Sequence, residues 1–116
     1  MPKVPRGEKL NMLVRDELAT IIDREIEFPE HAIVTLTRVI TSSDLRYASV
    51  FLSILNGNSP RILEMLGKNI YHIQQQLNKI LRMRPVPKIR FVIDEEELRR
   101  ESVEESLTKL KREGGL

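Results

Sequence analysis

The chain has 116 residues, a formal charge of only +2, no cysteine, and a hydrophobic fraction of 41% in which aromatics make up only 4% of the sequence. This supplies one domain with a small aliphatic core and excludes a disulfide framework, a thiolate zinc site and a cysteine nucleophile. No apolar run approaches the ~20 residues that cross a bilayer, and the opening Met1–Gly7 lacks a signal peptide's apolar stretch, so the expectation is a soluble, cytoplasmic protein with no membrane association.

Met1–Gly7, polar and with two prolines, reads as a flexible leader. A first helix is predicted over Glu8–Glu27, with Leu10, Leu13, Val14, Leu18, Ile21 and Ile22 as its apolar stripe and Arg15, Asp16, Asp23 and Arg24 on the wet side. Phe28-Pro29 ends it, because the residue before proline avoids the helical region and proline cannot continue the ladder. Ala32–Ile40 is β-branched nearly throughout and reads as a strand; its alternation falters at Arg38-Val39, where a bulge is expected. Thr41-Ser42-Ser43-Asp44 has turn chemistry, with Asp44 placed to bond nearby backbone N–H groups. Tyr47–Leu55 is a second strand with clean alternation. Ala48, Val50, Leu52 and Ile54 fall on one face; Tyr47, Ser49, Phe51 and Ser53 fall on the other. The short connection makes the two strands an antiparallel hairpin.

Asn56-Gly57-Asn58 turns the chain, and Ser59 as N-cap with Pro60 at the first helical position opens a long helical pattern to Arg84. Leu63, Leu66, Ile70, Ile73, Leu77 and Ile80 recur at helical spacing. Lys68, His72, Gln75, Lys79 and Arg82 follow the same steps displaced by two residues, which places them opposite the apolar stripe. One straight helix over Pro60–Arg84 would span roughly 37 Å at about 1.5 Å per residue, against a radius of gyration of about 12–13 Å for a compact domain of this size. A break is therefore expected near Gly67–Tyr71, with Pro85 ending the second segment. A third strand follows over Lys88–Asp94, with Ile89, Phe91 and Ile93 inward and Lys88, Arg90 and Val92 outward. Asp94 then reads as the N-cap of an appended C-terminal helix over 95–116, with Glu97 completing a capping box.

Charge is unevenly spread. Residues 1–94 hold 14 Lys and Arg against 10 Asp and Glu, whereas 95–116 hold 5 against 7. Between Gly67 and Ile93 there are six cations (Lys68, Lys79, Arg82, Arg84, Lys88 and Arg90) and no carboxylate. A stretch of one sign suits a polyanion, because each phosphate neutralised releases counterions; it also suits a merely solvated face.

The element order, helices on one face of a three-stranded sheet, is an α+β layer, α-β-β-α-α-β with an appended helix. It resembles a type-II KH-like domain, and the residues resemble the ribosome-binding factor A family of bacteria. The matching pieces are Val34-Thr35-Leu36-Thr37-Arg38-Val39, Ser43-Asp44-Leu45-Arg46-Tyr47-Ala48 running into Val50-Phe51-Leu52-Ser53, then Leu81-Arg82-Met83-Arg84-Pro85-Val86-Pro87 and Ile89-Arg90-Phe91-Val92-Ile93-Asp94. The likeness covers about Lys9–Asp94. It implies a non-enzymatic assembly factor with an RNA-binding domain over 8–94 and a helical tail over 95–116. Such a factor binds the immature small (30S) ribosomal subunit and its 16S rRNA, aids late maturation and rRNA processing, and is a monomer when free. RNA-binding KH domains carry a Gly-x-x-Gly loop between their two helices; Gly67-Lys68-Asn69-Ile70 has only the first glycine. The family's Ala-x-Gly kink would fall on Asn69, Ile70 and Tyr71, and Gln74 stands where relatives often carry an arginine.

The RNA-binding candidates are Lys68, Asn69, His72, Lys79, Arg82, Arg84, Lys88 and Arg90, together with Arg46 and Arg38 from the hairpin. His31 reads as a loop surface residue, and His72 either faces RNA or is solvated. Tyr47 and Phe51 either stack on bases or pack under the C-terminal helix, and Gln74-Gln75-Gln76 reads as wet helix. No nucleophile–base pair, phosphate loop or metal cluster is legible, so no cofactor, metal or small-molecule substrate is expected. The other function class left open is a protein-interaction or dimerisation module. Steep weakening with salt marks phosphate-led binding; an apolar interface lacks it.

Overall fold

A computed structural model describes residues 6–95. Its order is α1 (Arg6–Glu25), β1 (Ile33–Thr41), β2 (Tyr47–Leu55), α2 (Ser59–Lys68), α3 (Ile70–Ile80) and β3 (Lys88–Ile93), the α-β-β-α-α-β arrangement expected. The tail helix expected over 95–116 lies outside the described residues beyond Glu95.

The strands form one sheet in the order β1-β2-β3. β1 and β2 pair antiparallel, with a register shift between Leu36 and Arg38 that leaves Thr37 as the extra residue of a bulge. This is one residue before the point where the alternation falters. β3 runs parallel to β2, so that Tyr47, Ser49 and Phe51 face Lys88, Arg90 and Val92 across the ladder. The period-two pattern of β2 is realised: Ala48, Val50 and Leu52 are fully buried while Tyr47 is exposed.

The buried face meets the helices. Val14, Leu18, Ile21 and Ile22 of α1, Ile62 and Leu66 of α2, and Ile73 and Leu77 of α3 close the core with Val39 and Ile89. Each such side chain contributes roughly 1.5–3 kcal/mol of burial, and truncating fully buried Leu18 or Leu77 to alanine costs about 2–5 kcal/mol. Leu13 and Ile80, expected on these stripes, are exposed; Leu13 lies about 100° round the helix from buried Val14, and Ile80 is the last residue of α3.

Boundaries differ from expectation: α1 is Arg6–Glu25 rather than Glu8–Glu27, taking in two residues of the expected leader, β1 is Ile33–Thr41 rather than Ala32–Ile40, and β3 ends at Ile93 rather than Asp94. The N-cap of α2 is Asn58, not Ser59: its backbone is extended and its Oδ1 accepts the Arg61 N–H at 3.0 Å. Both residues are strong caps, and the one whose carboxamide reaches three residues on takes the position. α3 stops at Ile80 rather than running to Arg84, because Leu81 turns extended (φ −77, ψ 129) while its N–H still bonds the Leu77 carbonyl. Leu81 remains buried at the phase an unbroken helix would have given it, so apolar spacing alone could not reveal the end.

Candidate nucleic-acid interface

The helix break falls at Asn69. Its φ of −105 and ψ of 4 put it in the bridge region, which L residues reach without glycine. Its N–H bonds the Leu66 carbonyl at 3.1 Å and its Nδ2 donates to Met65 O at 2.8 Å, closing α2; its carbonyl then accepts the Ile73 N–H at 3.0 Å and opens α3. The chain thus bends on a self-bonded asparagine. That is why neither glycine pattern is needed: Ile70 and Tyr71 are already helical, and a Cβ on Gly67 would meet open space.

Two candidate residues beside the break are matched by glutamates. Lys68 lies 3.1 Å from Glu64, one helical turn back, with both side chains mostly exposed. His72 Nε2 lies 3.3 Å from Glu25 at the end of α1, and Arg24 reaches the same carboxylate at 3.2 Å. Arg24 foremost, and then His72, hold the Glu25 carboxyl below the usual range. Exposed pairs of this kind are worth little in water, but each carboxylate opposes the approach of a phosphate. Arg61, which sequence reasoning passed over, lies seven residues before Lys68 on the same exposed side of α2; its heptad spacing was the available signal.

Past the break the situation reverses. Lys79 is exposed in the last turn of α3. Arg82 and Arg84, expected on the helix, instead stand exposed on the non-helical connection between buried Leu81 and buried Pro87. The Arg84–Pro85 bond in that connection is cis. Arg84 Nη1 donates to Met83 O at 2.8 Å and Leu81 O at 3.4 Å, holding its guanidinium against the connection. Lys88 and Arg90 follow on β3, and Arg90 Nε donates to Ser49 Oγ at 2.8 Å across the ladder. Among the described residues, none of Lys79, Arg82, Arg84, Lys88 and Arg90 forms an ion pair.

The connection is held by a residue read from sequence as wet helix. Gln74 Oε1 accepts the Ile89 N–H at 2.9 Å, while its Nε2 donates to Pro87 O at 3.0 Å and Asn78 Oδ1 at 3.0 Å. The side chain ties the middle of α3 to the first residues of β3.

The remaining candidates belong to the hairpin. Arg38 stacks 4.3 Å above the Phe51 ring and lies 3.4 Å from buried Asp94. Thr37 Oγ1, at the bulge, donates to that carboxylate at 2.6 Å. Asp94 therefore ties the end of β3 to β1; the capping box that would join it to Glu97 lies outside the described residues. Phe51 is accordingly occupied by an arginine, and Tyr47 is exposed. Asp44 caps its turn as expected, accepting from Ser42 Oγ at 2.6 Å and the Arg46 N–H at 3.1 Å, and the Ser42 hydroxyl foremost holds its carboxyl below the ordinary value. Arg46 Nε is 3.9 Å from Asp44, and its carbonyl accepts the Lys88 N–H at 2.8 Å. His31 is exposed, at φ 71.

The ten candidates thus do not share one ridge. Lys68, Asn69 and His72 surround the break, and Lys79, Arg82 and Arg84 cluster at the outlet of α3. Lys88 and Arg90 alternate with inward Ile89 and so, with Arg38, belong to the sheet face away from the helices, beside Arg46. Among the described residues no group of His, Asp and Glu could hold a metal, and no helix is long and apolar enough to cross a membrane.

Comparison with known proteins follows the same outline. The family model of ribosome-binding factor A matches residues 6–107. A ribosome-binding factor A from Gemmatimonas aurantiaca is 33% identical over 116 residues, covering 97% of this chain and 80% of that one. The crystal structure of ribosome-binding factor A from Thermus thermophilus superposes with a TM-score of 0.66 at 24% identity, over 75% of this chain and 94% of that one. A homology model of the Thermus thermophilus factor, as fitted into a cryo-EM map of its complex with the 30S subunit, gives 0.62 at 23% identity, over 71% and 88%.

Proposed function

The chain belongs to the ribosome-binding factor A family, and from that premise we propose that it is a non-enzymatic assembly factor. It binds the immature small ribosomal subunit through its 16S rRNA and assists late maturation and rRNA processing in the cytoplasm, acting as a monomer. The observation that carries this reading is the run of five cations from Lys79 to Arg90, none ion-paired among the described residues. They are borne by the last turn of α3, an anchored connection and the edge strand β3. With no carboxylate beside them, such groups can offer their remaining N–H donors to phosphate oxygens, and they track a backbone rather than read base edges. The relative fitted into a 30S complex supports the choice of target.

The reading assigns the outlet of α3 the leading role and the break a lesser one, because Lys68 and His72 already face glutamates. The test is the triple variant Lys79→Glu, Arg82→Glu, Arg84→Glu, sedimented with immature small subunits. Native-like circular dichroism with loss of co-sedimentation is expected. The log–log salt slope of the unaltered protein should be steeper than that of an Arg82→Ala, Arg84→Ala variant by roughly 1–2, about 0.7–0.9 for each phosphate no longer neutralised. A folded triple variant that still travels with the particles overturns the reading.

A further inference from the structure

The side of the molecule away from these cations carries a groove that RNA binding does not use. β1 is an edge strand, and among the described residues it pairs only with β2. At one end its free edge is closed: Asn11 Oδ1 accepts from the Thr41 N–H at 3.0 Å and from Thr41 Oγ1 at 2.9 Å. At the other end α1 and β1 part around a groove of about 660 Å³, with Ala19 and Asp23 on one wall, Phe28 at the end, and Val34, Thr35 and Leu36 on the other wall. In an antiparallel ladder, alternate residues of an edge strand turn their N–H and C=O outward, so this half of β1 presents unpaired backbone groups beside an apolar trough.

The trough is also acidic. Asp23 lines the groove, and Asp16, seven residues earlier on the same side of α1, lies beyond that lining with Arg15 3.5 Å away. Residues 8–30 hold seven Asp and Glu against three Lys and Arg. That charge repels phosphate and favours a basic partner. Residues 23–30, at the Phe28 end of the groove, hold four carboxylates against one arginine; a second copy of the chain would bring a second such set against the first, which like-charge repulsion disfavours.

We propose that the Ile33–Leu36 edge of β1 receives an extended, lysine- or arginine-rich segment of a partner protein as a fourth strand. Its backbone pairs with β1, every second side chain is apolar and fills the groove, and flanking cations meet Asp16 and Asp23. This is strand addition, in which the backbone supplies affinity and alternate side chains supply specificity. Four residues of strand span about 13 Å, so the segment is short and its affinity leans on charge. The surface is separate from the RNA-binding outlet and its test does not depend on that reading.

The test uses the intact ¹⁵N-labelled protein and a synthetic amidated peptide of eight residues, valine alternating with threonine in the middle four and two lysines or arginines at each end. Amide shifts at Val34–Leu36 and Ala19–Asp23, with slowed exchange at the β1 edge, are expected. N-methylating alternate peptide amides should weaken binding at least tenfold by removing the ladder bonds. The Asp16→Asn, Asp23→Asn variant should weaken it about tenfold while still co-sedimenting with immature small subunits. The proposal is overturned if the peptide leaves those amides unmoved up to millimolar concentration, or if N-methylation has no effect. It is equally overturned if the β1 amides shift with protein concentration alone, which would assign the edge to a second copy.

Discussion

Replacing Gln74 with alanine tests whether the cationic connection is positioned or merely present. The side chain makes three hydrogen bonds, two of them to backbone groups at the start of β3. A neutral hydrogen bond contributes about 0.5–1.5 kcal/mol net, and a donor or acceptor left buried without a partner costs about 1–3 kcal/mol. The site is only partly buried, so water can take over some of the lost partners; the expected cost is therefore about 2 kcal/mol, towards the lower end of the sum. For a domain of this size each kcal/mol lowers Tm by roughly 4–8 °C, which gives a drop of about 8–16 °C in thermal denaturation followed by circular dichroism. Gln74→Glu should be no better, since a carboxylate keeps the Ile89 N–H but sets its second oxygen against the Pro87 carbonyl. Gln75→Ala and Gln76→Ala are the controls. Both side chains are half-buried like Gln74 but, among the described residues, make no hydrogen bond, and alanine favours helix, so each should stay within about 1 kcal/mol of the parent. Faster amide exchange at Ile89 in the Gln74 variant alone would locate the damage. If Gln74→Ala unfolds within about 2 °C of the two controls, the clamp is not what holds β3, and the positioning of Lys88 and Arg90 must come from the strand ladder.

Gly57→Ala should destabilise by about 1–3 kcal/mol in urea unfolding, because the added Cβ would meet Ile62 Cδ1 at 2.8 Å, Ile54 Cγ2 at 3.1 Å and Ala32 Cβ at 3.2 Å, and Ile62 is fully buried; an unchanged midpoint would show that the turn gives way freely. Thr37→Val and Asp94→Ala, combined in a double-mutant cycle, should couple by about 1–2 kcal/mol through the 2.6 Å bond at the bulge, and additive effects would refute that link. The Asp44 carboxyl, held low by Ser42 and by the Arg46 N–H, should support its turn above the unfolded Asp pKa and lose that support as pH falls through the lower folded value. Carboxyl NMR titration checks the direction, and Asp44→Asn should remove the dependence. Lys68→Ala and His72→Ala should each weaken binding to immature small subunits less than Arg82→Ala in the same sedimentation assay, because the first two side chains already have glutamate partners; the reverse ranking would place the RNA at the helix break.

The sequence made legible whatever is written in local patterns. β-branching and strict alternation marked β1 and β2, and the faltering at Arg38-Val39 marked the bulge one residue from its place. The break between α2 and α3 followed from a length argument, since a single helix would overhang so small a core. What stayed hidden lies where two readings share one pattern or where partners are far apart in the chain. Leu81 continues the four-residue step of Ile73 and Leu77 whether or not the helix continues, so the exit of Arg82 and Arg84 from α3 left no trace in periodicity. Asn58 and Ser59 are both good caps, and only geometry chose between them. Gln74 sits in a run of three glutamines, and nothing local tells the one that bonds β3 from its neighbours. The Glu25–His72 pair joins α1 to α3 and has no signature at sequence spacing, which is why His72 could not be judged from the sequence.

The near-neutral charge of the whole chain conceals two opposed regions. Residues 8–30 hold seven carboxylates against three Lys and Arg, most unevenly past the middle of α1, where 23–30 hold four against one; residues 67–93 carry six cations and no carboxylate. In the field of a polyanion such a molecule is turned as well as attracted, with the outlet of α3 leading and α1 trailing. A uniformly basic protein would adhere to RNA in many orientations and would leave no face for anything else. On the proposed reading, the repulsion of the carboxylates of 8–30 from phosphate does part of the orienting and directs the groove beside β1 away from the RNA. Neutralising Asp16 and Asp23 should therefore leave the salt slope of RNA binding unchanged, because no further phosphate is neutralised. It should instead raise adhesion to unrelated RNA, because the penalty on wrong orientations is reduced.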